Sequence, residues 1–165
     1  MSYDKLAINL INKYIWDLAK GDVEGSTKLS SSIWDTDEWE SITPIFPVNE
    51  NFGTAYTDKN PYILYDYIVA GVSSTFWPLE KERSSYTIVG EIPGIYYVKN
   101  FVYENLRKFD VSAAELNKHL NDPEINFKYI RVEQPNFIAQ EFKPADSQLP
   151  KYQTTLILTY EFTRS

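Results

Sequence analysis

Apolar residues recur at helical spacing near the amino end, where Leu6, Leu10, Ile11, Tyr14, Ile15 and Leu18 fall on one face. That is the pattern of an amphipathic helix with one buried stripe. Ser2 can cap its start and Gly21 stands where a left-handed terminator belongs, so the spacing predicts a helix from Tyr3 to Lys20. From Gly21 to Ser41 the period vanishes, and small and acidic residues surround Trp34 and Trp39. This reads as a surface loop anchored by its indoles, which either tuck onto the protein's own sheet or grip a neighbouring subunit.

Strand patterns follow. Ile42 to Val48 alternates loosely and holds two prolines, as befits a short edge strand. Tyr62 to Ala70 is apolar on both faces apart from Asp66, a central-strand pattern, and Gly71 to Thr75 supplies a turn into Phe76 to Val89. The two form a candidate hairpin whose second arm has a charged middle, Glu80 to Arg83. After Pro93 and Gly94, the residues Ile95, Val98, Val102, Leu106 and Phe109 mark a core-facing helix. Ser112 and Glu115 then have capping-box spacing, with Val111 and Leu116 as a hydrophobic staple, predicting a short helix from Ala113 to Asn121.

The carboxyl third returns to strand. Ile125 to Gln134 is one strand, and the last places Tyr152, Leu156, Leu158, Tyr160 and Phe162 opposite Gln153, Thr155, Thr159 and Glu161. The stretch between them starts like a strand at Phe137 and leads to a proline-containing loop, Lys143 to Leu149, read as mobile. The order α-β-β-β-α-α-β-β predicts an α+β fold, a mostly antiparallel sheet with helices packed on it.

Composition narrows the chemistry. A chain of 165 residues is expected to form one domain, and with no Cys and one His it has no thiol catalysis, disulfide or histidine-rich metal site. The net charge of −7 argues against a nucleic-acid groove. Asp4, Lys5, Asn9, Asn12 and Lys13 interrupt the amino end, so it does not read as a signal peptide, and no apolar run reaches the length of a membrane span. Asp35, Asp37, Glu38 and Glu40 cluster without EF-hand spacing, reading as a solvated loop or an electrostatic lure for a basic partner. His119 has no second ligand in view, and no phosphate-loop or nucleophile-elbow motif occurs. The expectation is a non-enzyme without cofactor. Glu80, Lys81, Glu82 and Arg83 put four charges on one strand, which suits either a strand protruding toward another chain or a solvated edge.

Three stretches carry a resemblance: ITPIFPV at Ile42 to Val48, PYILYDYIV at Pro61 to Val69 with WPLEKERSSYTIVGE at Trp77 to Glu91, and YYVKNFVYENLRKFDVSAAELN at Tyr96 to Asn117. On these the chain resembles tail terminator or tail-completion proteins of contractile-tailed, T-even-like bacteriophages, including those of cyanobacteria. The resemblance implies a hexameric ring at the head-proximal end of the tail that stops tube and sheath polymerisation and presents a docking surface for the neck. The implied partners are further copies of the chain, tail tube and sheath proteins and neck or head-completion proteins, with DNA only passing through the lumen. The implied location is the virion, with assembly in the host cytoplasm. Candidate interface residues are Trp34, Trp39, Glu80, Lys81, Glu82, Arg83, Lys143 and Asp146. A neck protein between portal and terminator is a close alternative. A small-molecule binding module, with the tyrosine-rich sheet as pocket wall, is a distant one.

Overall fold

The structure is a computed structural model that describes residues 5–39, 42–48, 61–73, 79–134, 140–142 and 151–165. Four helices are present among them, α1 (Ala7–Lys20), α2 (Thr36–Trp39), α3 (Gly94–Leu106) and α4 (Asp110–Leu120). The strands are β1 (Ile45–Pro47), β2 (Tyr62–Ser73), β3 (Leu79–Gly90), β4 (Ile125–Glu133), β5 (Gln140–Phe142) and β6 (Lys151–Arg164). The fold is α+β, and the order follows the expected one with two additions, the single-turn α2 and the short β5.

All the strands join one sheet in the order β1-β2-β3-β6-β4, and β5 pairs with the start of β6. Only β1 runs parallel to its neighbour; every other pairing is antiparallel. As its prolines require, β1 is an edge strand. The carboxyl-terminal β6 inserts between β3 and β4 and so is an interior strand, next to the β4 edge.

Register fixes which side chains share a face. Opposite Leu156, Leu158 and Tyr160 of β6 stand Tyr86, Ser84 and Glu82 of β3, and opposite Leu158, Tyr160 and Phe162 stand Val132, Ile130 and Phe127 of β4. An irregularity between Phe127 and Tyr129 keeps Phe127, Ile130 and Val132 pointing the same way. These residues are all buried, and with the apolar stripes of α1 and α3 they form one core. Each buried apolar side chain here stabilises by roughly 1.5–3 kcal/mol relative to exposure.

α1 ends as expected, with Gly21 in the left-handed conformation at φ 78° and its N–H on the Leu18 carbonyl. A Cβ at Gly21 would stand 2.9 Å from the Lys28 backbone nitrogen, so a side chain is excluded by space as well as by φ. The helix begins at Ala7, and Ser2 lies outside the described residues. In α3 the stripe holds for Ile95, Val98, Val102 and Leu106 and fails at Phe109, which lies beyond the helix end, 48% exposed, with φ at 56°. The capping box also fails. Ser112 is buried inside α4, where Oγ accepts from the Lys108 N–H at 2.9 Å, closing the α3–α4 turn, and Val111 is exposed.

Candidate functional site

The charged segment Glu80 to Arg83 is part of β3. β3 lies between β2 and β6, so Glu80 to Arg83 occupy the interior of the sheet, which corrects the reading of a solvated edge. The charges are accommodated by alternation. Glu82 points into the helix-covered layer and is buried beside Tyr160, whose hydroxyl pKa is raised by burial and by the Glu82 charge. Ser84 Oγ lies 3.0 Å from the same hydroxyl. Arg83 projects to the other face, with Nη2 3.4 Å from Glu133 Oε2, and Arg131 also bonds Glu133. Glu80 accepts from Arg164 Nε at 3.3 Å. Three of the four residues are therefore engaged within the protein, and Lys81 is the exposed one.

Trp34 and Trp39 are buried to 0% and 1% exposure, which corrects their candidacy as interface residues, since neither indole has surface to offer a partner. Trp34 packs edge-on against Trp16 with centroids 5.0 Å apart, and its Nε1 donates to the Pro61 carbonyl at 3.0 Å. Trp39 meets Phe46 and Tyr62 at 6.0 and 6.4 Å. The anchored-loop reading therefore holds, and the anchoring carries the segment from the end of α1 around the start of β2. Asp35 caps α2, its Oδ1 accepting from the N–H groups of Asp37 and Glu38 at 3.0 and 3.2 Å. Among the described residues no group of acidic or histidine side chains is arranged to hold a metal ion. Glu40, Lys143 and Asp146, and the loops at 49–60 and 143–149, lie outside the described residues.

Sequence reasoning missed the junction of α1 and α4. His119 Nε2 lies 2.9 Å from Asp17 Oδ2, and since an ionised carboxylate only accepts, Nε2 carries the proton. Burial works against ionisation of Asp17, but hydrogen bonds from His119 and Lys13, with the charges of Lys13 and Lys20, outweigh it and hold the carboxyl below its ordinary value. Beside this pair opens a cleft of about 630 Å³, lined by Tyr14, Leu18, Val23, Asn105, Glu115 and Lys118 among others. Burial, aided by Glu115, pushes the Tyr14 hydroxyl up to about 12, so Tyr14 is a neutral hydrogen-bonding wall. The only sequence signal was a lone histidine near the end of a helix.

The outer edge of β4 has its own character. Asn117 grips Phe127 through both backbone groups, accepting from its N–H at 2.9 Å and donating to its carbonyl at 2.7 Å, as a neighbouring strand would. Phe109 bridges to Ile130 and lays its ring 5.3 Å from Tyr129. A bulky residue at φ 56° and ψ −119° costs on the order of 1–3 kcal/mol, so the surrounding contacts hold it there against strain.

No protein-family model matches the chain, and no curated protein matches it. No helix among the described residues is long and apolar enough to cross a membrane.

Proposed function

We propose that this chain is a structural protein of a contractile bacteriophage tail, forming a ring at the head-proximal end that stops tube and sheath growth and receives the neck. The observation that carries the proposal is that, among the described residues, one face of the sheet is packed by helices and most of the other is not, taken with the three resembling sequence stretches. α1 and α3 pack on one face, while Arg83, Ser85, Thr87, Thr155, Arg131 and Glu133 stand on the other at partial exposure. The two edges are unlike, β1 flanked by the acidic α2 and β4 by the exposed Phe109 and Val111 with Lys108, Asp110 and Lys128. Unlike edges on a single sheet suit the repeated head-to-tail contact from which a ring is built. A neck protein in the adjacent layer would use the same geometry.

Native mass spectrometry of the free protein and electron microscopy of tails completed with it test the reading. A closed ring on the tail end, with tubes of uniform length, is the expected result. Strictly monomeric protein in solution and no density at the tail end overturn it. The cleft beside Asp17 and His119 favours a second reading, a small-molecule binding module. A monomer whose melting temperature rises with a small ligand, and no longer rises after Tyr14→Ala, would replace the ring with that reading.

A further inference from the structure

We infer that the β4 edge of one copy docks onto the acidic α2 at the β1 edge of the next copy, and this inference rests on the ring reading. Phe109 and Val111 are 48% and 49% exposed, side by side in sequence at the start of α4. Lys108 precedes them and Lys128 precedes Tyr129, the ring partner of Phe109; both lysines are exposed, and neither takes part in an ion pair among the described residues. The result is an apolar patch that carries Lys108 and Lys128 together with the exposed Asp110 between Phe109 and Val111, on a chain whose net charge is −7. The left-handed backbone at Phe109 presents that ring at the surface although the sequence spacing would have buried it.

The opposite edge supplies the complement. Asp35, which caps α2, and Asp37 in its first turn take part in no ion pair among the described residues, and buried Trp39 ties α2 to Phe46 of β1. With Lys108 and Lys128 against Asp110 the patch is net basic, so it favours the acidic turn over a second copy of itself and the contact is heterologous. The patch and the acidic turn lie at the two ends of the strand order, four strand spacings or about 19 Å apart across the sheet. A contact joining them leaves both ends of any pair free to repeat it. It is a side-chain contact rather than added strand pairing, because Asn117 and Phe109 already engage the β4 edge at Phe127 and Ile130.

The natural absence of cysteine makes the test direct. Val111→Cys and Asp37→Cys are made singly and together in the full chain, and each is checked for unchanged thermal unfolding. A short bismaleimide is added to the free protein at rising concentration and to completed tails. The expected result is a mixed dimer from the two single variants, well above either same-site dimer, and a ladder of multimers from the double variant. Lys128→Glu should weaken the mixed product by about tenfold or less, and Asp37→Lys on the partner should restore it. Multimers or tail-end rings that cross-link at neither position overturn this inference and leave the ring reading intact. Same-site Val111 dimers overturn it in favour of a two-fold contact, and capture of Val111→Cys by a tail tube or neck protein instead of a second copy overturns it in favour of that partner. Monomer under every condition, tails included, overturns inference and ring reading together.

Discussion

The two faces of the sheet are built from the same strands and behave as different materials. On the face beneath α1 and α3, successive inward residues of β6 from Thr154 to Phe162 are at most 2% exposed, and several of the polar groups admitted there are held by specific partners. Tyr86 donates to Asn12 of α1, Ser84 meets Tyr160, and burial lifts the tyrosine hydroxyls well away from ionisation. On the other face the same strands show threonines, serines and the Arg83–Glu133–Arg131 cluster, all partly exposed except Thr159. Among the described residues one end of that face is closed, where Trp39 and the Lys151 ammonium cover Tyr62. The contrast teaches that charge on a strand is no guide to its place in a sheet. Alternation lets one interior strand carry a buried Glu82 and a half-exposed Arg83 side by side.

The largest expected effect comes from comparing neighbours on β6. Leu158→Ala should cost about 2–5 kcal/mol through lost burial and a cavity, whereas Thr155→Ala should stay within about 0.5 kcal/mol. Chemical denaturation measures both; equal costs would mean that the second face is packed as tightly as the first.

Next in size is the polar seam between α1 and α4. Asp17→Asn removes charge-assisted bonds from His119 and Lys13 and should cost about 1–2 kcal/mol at neutral pH. Because the folded carboxyl lies below its ordinary value of 3.8, the stabilisation is complete above that value and lost as pH falls through the folded value. The gap between wild type and Asp17→Asn should therefore be constant near neutrality and close on acidification. A gap that widened in acid would contradict the assignment.

Where the faces meet at the β4 edge, Phe109→Gly should relieve the left-handed strain while losing the ring contact with Tyr129, for a net gain of up to about 1 kcal/mol. A lower melting temperature would show that the ring contact outweighs the strain. The smallest effect belongs to the open face. Arg83→Ala and Glu133→Ala should each cost ~0.2–1 kcal/mol, shrinking further in high salt, since the pair is 40% and 37% exposed. A larger, salt-insensitive loss would mark this face as effectively buried.

Whatever depended on local periodicity was legible in the sequence. The stripe of α1 from Leu10 to Leu18, though not the exposed Leu6 before the helix, the first four positions of the α3 stripe, the alternation of β6, the prolines of the edge strand and the left-handed Gly21 all follow from neighbouring residues and steric rules. Of the candidate site, local reading found the charged strand and the two tryptophans, but not where they stand. Periodicity cannot say that β6 inserts between β3 and β4, and that insertion alone makes Glu80 to Arg83 interior. It cannot distinguish an indole on its own core from one on a neighbour, because both need the same apolar surface. Nor could it pair His119 with Asp17 across 102 residues, or turn Phe109 outward when its spacing pointed in. Those outcomes were decided by tertiary structure, since they depend on register and packing between segments far apart in the chain, where no local pattern carries the information.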